Sequence, residues 1–307
     1  MIPWIVFCTD PTATRIAVSR HCPSSKLLAT LLGSCVLLAA AAAHAGGSIV
    51  VTINGNQAKA DITLPVPPPG SGNYTAELEL EFETPHNLTV ACLGIDANVL
   101  TASDIVNINS RLPNPATQSI DPAFPVRVVV EPPVSCGLQF YYDVKVTLET
   151  DDLVYQPYSV YRLMKAPIGG LFQNITSSVT AGSVRARGSG GSFSEFVMVE
   201  DTAQDYDADA IRAFDALEAR LNDPAIGLTA QLTLQTDLAV SRAAYIAHNY
   251  AQAIAYVDQL DYHCAVLGGP ALPNTWRSAR DLVNAEGEVV SFTGNLRFAL
   301  GRLNGSP

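Results

Sequence analysis

A change of hydrophobic period at Asp205 limits what this chain can fold into. In "NYTAELELEFET", Ala76, Leu78, Leu80 and Phe82 alternate with Glu77, Glu79, Glu81 and Glu83. One apolar and one charged face at period two is the pattern of a half-buried antiparallel strand. The alternation returns in "LQFYYDVKVTLE", which sets Leu138, Phe140, Tyr142, Val144, Val146 and Leu148 inward. With "SIVVTI", "KADITL", "NLTVACL", "VRVVV" and "LVYQPYSVYRL", about seven strands are predicted, separated by Pro, Gly, Asn and Asp clusters. The stretch from Pro113 to Pro125 reads as a loop or crossover.

From Asp205 onward the period is helical. Ile211, Phe214, Leu217 and Leu221 form one stripe, and "LTAQLTLQTDLAVSRAAYIA" a second. A third helix, opened by Asn249, carries Ala253, Val257, Leu260, Cys264 and Leu267 and stops at "GGP". A fourth is expected from near Asn274 through Ala279, Leu282, Val289, Leu296 and Leu300 to Gly301, with Gly287 and Gly294 marking close packing or a bend. The expected fold class is therefore α+β and multidomain. An N-terminal immunoglobulin-like antiparallel β-sandwich spans 46–165, a short β segment or hairpin extension 166–202, and an antiparallel four-helix bundle 203–304. The sandwich region holds no Trp, so the Cys/Trp/Cys signature of true immunoglobulin domains is missing.

Residues 1–45 are set apart from the fold. After Lys26, "LLATLLGSCVLLAAAAAHA" is an uncharged apolar run that closes on the small residues Ala43 and Ala45, the pattern of a secretory signal peptide cleaved after Ala45. The "MIPWIVFCTDPTATRIAV" before it is longer than such a leader needs, which suggests a translation start further in. A lipoprotein reading of "LGSC" fails because the apolar run continues past Cys35, and the small-residue end of the run argues against an uncleaved anchor. The product is expected to be soluble and either secreted or periplasmic.

The chain has 18 basic and 29 acidic residues, a net charge of −11. The leader removes more basic than acidic groups, so the exported part is more acidic still. Such a surface repels phosphate backbones, and no nucleic-acid partner is expected. Three cysteines remain after the leader: Cys92, Cys136 and Cys264. Cys92 and Cys136 lie beside strand-like runs of one region, Cys264 in a helical one. In an oxidising compartment the expected disulfide is Cys92 to Cys136, worth roughly 3–5 kcal/mol, with Cys264 left as a core thiol.

"GSVRARGSGGSFSEF", Gly182 to Phe196, is the stretch that most resembles an active site. It lacks the G-x-S-x-G of a nucleophile elbow around Ser189 or Ser192, and His86, His248 and His263 stand in no triad context. No Lys-Ser/Thr follows the glycines, so it is no phosphate loop. As a β-hairpin with the loop Gly188 to Ser192, it sets Arg185 opposite Glu195 as a cross-strand ion pair and Arg187 opposite Phe193. Val184, Ala186, Phe196 and Met198 then share the other face.

Two stretches bear a family resemblance. "AAYIAHNYAQAIAYVDQLDYHCAVLGG" with "WRSARDLVNAEGEV" resembles the small helical bundles of the FIMAH type at the C-terminal ends of secreted bacterial proteins. "GSVRARGSGGSFSEFVMVED" resembles a recurring β unit of exported proteobacterial proteins of unknown function. Neither resemblance implies a catalytic residue, and the first implies at most an interaction module.

The remaining polar clusters read as structural. The row Glu77 to Glu83 is a solvated sheet face, although adjacent pairs have the spacing to hold a hard cation. In "DYDAD", Asp205, Asp207 and Asp209 lack the glycine and closing glutamate of a calcium loop, and serve as capping and dipole charges for a helix. No C-x-x-C or H-E-x-x-H spacing points to zinc, and no cofactor is expected. The function expected is that of an exported, non-catalytic binding or interaction protein of the bacterial envelope or exterior, with a protein or carbohydrate as partner. The alternatives are an exported hydrolase built on a carboxylate pair drawn from Glu195 or the Glu77 to Glu83 row, and a calcium-dependent adhesion or carbohydrate-binding protein.

Overall fold

The period-two segments build two antiparallel sheets. The computed structural model describes residues 47–306, so the expected leader, residues 1–45, lies outside the described residues. In chain order the strands are β1 (Ser48–Asn54), β2 (Gln57–Pro65), β3 (Asn73–His86), β4 (Ile95–Val99), β5 (Gln118–Ile120), β6 (Val126–Val130), β7 (Gln139–Val154), β8 (Tyr161–Ala166), β9 (Gln173–Asn174), β10 (Ser178–Thr180), β11 (Ser183–Gly190), β12 (Glu195–Asp201) and β13 (Thr275–Arg277). The helices are α1 (Val90–Leu93), α2 (Ala102–Ser110), α3 (Tyr206–Leu221), α4 (Leu228–Ile246), α5 (Tyr250–Leu267) and α6 (Ala285–Leu303). The first sheet has the order β1-β2-β3-β7-β11-β10, with β13 added to β7. The second has the order β4-β6-β12-β8-β9, with β5 added to β12. The fold is α+β, and neither sheet closes into a barrel.

The alternating residues place the core. Leu78, Leu80, Phe82, Val144, Val146, Leu148, Val184 and Ala186 of the first sheet meet Val128, Leu163, Phe196 and Met198 of the second in one buried cluster. The opposite face of the second sheet, through Met164, Val197 and Val199, is covered by Ile108 of α2 and by Leu112. Helices α3 to α6 share a separate core that includes Phe214, Leu217, Leu234, Leu260, Cys264, Val289 and Leu296. The described residues belong to a single compact unit. No described helix is long and apolar enough to cross a membrane.

Several expectations are corrected locally. "NLTVACL" is not a strand: Thr89 caps the short α1, accepting from the Cys92 N–H, and Gly94 closes it in the left-handed region. Helix α2 was missed because Ile108 is its only buried residue. Tyr142 does not point inward with its neighbours. It sits at φ 61° beside a register shift between β3 and β7, which frees its N–H for Asn274 O at 2.8 Å. The fourth helix begins at Ala285, capped by Asn284, about ten residues later than expected. The segment before it forms β13, which lays Trp276 against Phe140 and Phe193 in the sheet core.

The Arg185 to Glu195 pair does not form. β11 lies in the first sheet beside β7 and β12 in the second between β6 and β8, so "GSVRARGSGGSFSEF" is an arch between sheets and not a hairpin. Val184, Ala186, Phe196 and Met198 do meet in one core, but across it rather than side by side. Period two fixes which face is apolar and leaves open whether the two strands are neighbours or opposites. Arg185 instead pairs with Glu149 of β7, its register partner, and Arg187 stands beside Thr147 and Ser178 rather than over Phe193.

Glu195 is fully buried. Its carboxylate is gripped by Arg111, lies 3.4 Å from Arg127 Nη1, and accepts from the Gly169 N–H at 3.2 Å. Arg111 also donates to Gly170 O at 2.7 Å and lies over the Phe172 ring. One carboxylate therefore ties together the end of α2, β6, the β8–β9 loop and β12. Removing it leaves Arg111 buried without a counter-charge, which costs about 3–5 kcal/mol. The half-exposed Arg185 is worth about 1 kcal/mol or less. In denaturant melts, Glu195→Ala is expected to lose several-fold more stability than Arg185→Ala. A double-mutant cycle on the two should give a coupling within about 0.5 kcal/mol of zero.

Helix α6 is buried on nearly all sides, and its second residue is Glu286. Burial pushes this carboxyl up to about 7; Glu83 and Asp143 add to the rise, while Asn274 opposes it. Its Oε2 has no hydrogen-bond partner. The folded value lies above the ordinary 4.5, so folding takes up a proton. That stabilising contribution is complete below the unfolded value and is lost as pH rises through about 7. Glu286→Gln should therefore melt higher than the wild type at pH 8, by about 2 kcal/mol of stability, and the gap should close at pH 5.

Candidate functional site

Lys165 occupies a position that alternation assigns to the core. It stands opposite Phe196 in the β8–β12 pairing and shares its face of β8 with Tyr161 and Leu163, both of which belong to the core between the sheets. A lysine here would be buried without a partner unless the core opened at this end. It does open, because the strand facing it carries glycines. A Cβ on Gly190 would lie 2.6 Å from Lys165 Nζ, so the bare backbone of β11 provides the channel through which the lysine reaches outward. Its Nζ donates to Ser192 Oγ at 3.0 Å.

Ser192 sits in the crossing from β11 to β12, and its neighbours hold it in place. Phe193 is enclosed by Phe82, Phe140 and Trp276, with ring centroids 5.7, 5.5 and 5.0 Å away. Ser194 O accepts from the Val130 N–H at 3.0 Å. Gly191 rests on the start of α6, where a Cβ would fall 2.9 Å from Glu288 N. A Cβ on Gly287 would in turn fall 2.7 Å from Gly191 Cα, so two glycines let the arch and the helix touch through backbone. Asn284 accepts from the Gly287 N–H at 2.9 Å and donates to Tyr142 O at 2.5 Å, which joins the bulge in β7 to the same point.

Ser192 lines two adjoining cavities, of about 380 and 400 Å³, which also share Pro167, Gly191, Ser194 and Glu288. The first continues past Gln173, Ala216 and Phe292 into a third cavity of about 160 Å³. Together they form a groove at the junction of the second sheet with α3 and α6. One wall is β9, the edge strand of that sheet. Arg220 and Glu288 face Lys165 across the groove, 2.9 Å apart, and Arg220 also holds Asp223 at 2.7 Å.

Two polar atoms at the narrow end lack partners: Asn174 Nδ2 and Asp209 Oδ2. Burial pushes the Asp209 carboxyl up, and Arg212, 2.6 Å away, pulls it back. Burial among the groove walls lowers the Lys165 ammonium to about 8, against the opposing pull of Glu288. The groove therefore brings together a hydroxyl, an amine that ionises near neutrality, and an unpaired donor and acceptor.

The residues singled out in the sequence lie mostly elsewhere. Glu77, Glu79 and Glu81 alternate outward as expected; Lys59 lies 2.6 Å from Glu77 and Lys145 3.4 Å from Glu81. Asp205 caps α3 through the Ala208 N–H. His263 pairs with the buried Asp237 on the helices, His248 with the Tyr250 hydroxyl, and His86 packs on Tyr141. Cys264 is buried in the helical core, where burial pushes its thiol well up. Cys92 and Cys136 come together as free thiols, each sulfur near the other's carbonyl at 3.5 and 3.6 Å. Among the described residues, no three His, Cys, Asp or Glu side chains gather as a metal site.

The sequence argues against Ser189 and Ser192 as nucleophiles on motif grounds and gives no direct sign of Lys165, which lies at the end of "YRLMK", just past the Leu163 at which the expected strand closes. Continuing period two from Tyr161 and Leu163 would have marked it. Residues 33–304 match a family model described as a family of unknown function, DUF6689. The chain belongs to this family. The DUF6689 match spans both sheets and all six helices, so the groove between them falls wholly inside it. No curated protein and no solved structure matches the chain.

Proposed function

We propose that this DUF6689 protein is an exported binding protein, secreted or periplasmic after cleavage at Ala45, that holds an extended segment of a partner polypeptide in the groove. In this reading the two sheets are an immunoglobulin-like sandwich and α3 to α6 an antiparallel four-helix bundle, in keeping with the FIMAH-type resemblance of the helices. The observation that carries the reading is the edge strand β9 along the groove, next to the unpartnered Asn174 Nδ2 and Asp209 Oδ2. β9 is only two residues long, yet its open side still offers backbone donor and acceptor groups, which a polypeptide matches and a sugar ring does not. Buried polar atoms without partners favour a ligand that supplies both a donor and an acceptor. The acidic surface disfavours nucleic acid.

A photo-crosslinking amino acid at Gln173, in the groove, is expected to give protein adducts of defined mass in the producing cell. The same probe at the exposed Leu232, on the far helices, should give none. Ala216→Trp, which fills the groove, should remove the Gln173 adducts. Equal adducts from both positions, or none from Gln173, would count against the proposal.

Export also gives the cysteines a role. The juxtaposed Cys92 and Cys136 are proposed to join as a disulfide in an oxidising compartment, with Cys264 left reduced. A non-reducing peptide map of the exported protein should contain the Cys92–Cys136 link. A link from Cys264 to either would refute the pairing.

A further inference from the structure

We propose that Ser192 and Lys165 act as nucleophile and general base, making the groove a site where an ester or amide of the bound polypeptide is hydrolysed. The inference rests on the reading of the groove as a polypeptide site and adds a reaction to it. The geometry that carries it is the 3.0 Å contact of Lys165 Nζ with Ser192 Oγ, placed where two cavities of about 380 and 400 Å³ meet. A chain running through both would pass a carbonyl over Oγ. The serine is pre-positioned rather than loose, because Phe193 is locked among three rings on one side and Gly191 is pressed on α6 on the other. Orientation of this kind is what turns a hydroxyl into a usable nucleophile.

A serine needs a base, and no described histidine lines the groove. A neutral lysine can serve in place of histidine when desolvation brings its ionisation near neutrality. Burial lowers Lys165 to about 8. Two charged groups face it: Glu288 on α6, which favours the ammonium, and Arg220 on α3, which is held by Glu288 and Asp223. The N–H groups of Ser192 and Phe193, which make no backbone hydrogen bond among the described residues, are assigned in this proposal to the developing oxyanion.

The steps balance without any further reactant except water. Ser192 Oγ bonds to the carbonyl carbon as its proton passes to the Lys165 amine, and the carbonyl π pair moves onto oxygen. The intermediate collapses, the bond to the leaving alcohol or amine breaks, and that group takes the proton from the Lys165 ammonium. Water, deprotonated by Lys165, then attacks the acyl-serine carbon. Serine leaves with the proton, and a carboxylic acid is released.

The test is labelling of the purified protein with a fluorophosphonate probe between pH 6 and 10, with the modified residue mapped by mass spectrometry. The label is expected on Ser192, at a rate that climbs about tenfold per pH unit and levels above about pH 8. Ser192→Ala should abolish it. Lys165→Arg keeps a cation and a donor but cannot shed its proton, so it should label at least about 100-fold more slowly at pH 8 with an unchanged melting temperature. Folded wild type that takes no label at any of these pH values, a label only on another residue, or wild-type labelling of Lys165→Arg would each overturn the proposal. Crosslinking from Gln173 in the Ser192→Ala background separates the two readings. Adducts without labelling of the wild type sink hydrolysis and leave the groove standing, whereas labelling without adducts sinks the polypeptide reading.

Discussion

The backbone contact between Gly191 and Gly287 holds this structure together in a way that no side-chain pair does. One glycine belongs to the crossing between two sheets and the other to the first turn of a helix; a Cβ on Gly287 would strike Gly191 Cα, and a Cβ on Gly191 would strike Asn284 O and Glu288 N of the same helix start. The contact brings the sheet core and the helical core within backbone distance, so a single element, α6, serves both. On one face α6 gives Val289, Leu296 and Leu300 to the helices, and on another it sends the Ser291 hydroxyl to Ser189 O and the Asn295 amide to Thr176 O. A glycine inside a helix costs roughly 1 kcal/mol against alanine. That cost is small beside what a separated α6 would expose.

The charged groups inside the fold follow from the same closeness. Away from the groove, elements packed this closely leave little room for solvent, so each buried ion must find its partner inside. Glu195 does so with two arginines and a backbone N–H, and becomes the fixed point from which β12 and the β8–β9 loop are hung. Glu286 does not, which is why its carboxyl favours the neutral form. Arg162, fully buried between the rings of Tyr206 and Phe298, is a third solution: its charge rests on aromatic faces and on the carbonyls of Ser159 and Tyr161.

Much of the fold was legible because alternation reports faces. The stripe of β3 is buried as its pattern requires, that of β7 except at the bulged Tyr142, and that of α3 at Phe214, Leu217 and Leu221 but not at Ile211, which is exposed and whose place is taken by Ala210 and Ala213; Asp205 and Asn249 cap the helices they precede. What alternation cannot report is the partner of a face. "GSVRARGSGGSFSEF" has the correct apolar set under either a hairpin or an arch, and only the glycines favour the arch, through contacts made far away in sequence: Gly188 against Ile175 and Gly191 against the start of α6. Trp276 was likewise assigned to a helix because nothing near it signals that β7 is its neighbour. The candidate site was illegible for a related reason. Its two reactive groups are separated by 27 residues and meet only because two sheets face each other.

Lys165 shows how such a site can exist without sacrificing the core. A charged side chain on a core face is tolerable only at an open end, where its stem lies along apolar walls and its head meets polar groups. Here the end is held open by glycines in the opposite strand and roofed by α6 and α3, which bring Glu288 and Arg220. A sheet pair with ordinary side chains at Gly188 and Gly190 would close over this space and leave the lysine no route out. The glycine-rich stretch is therefore not the chemistry that its composition suggests. It supplies one serine, and its glycines make the room in which that serine and a lysine from the opposite sheet can meet.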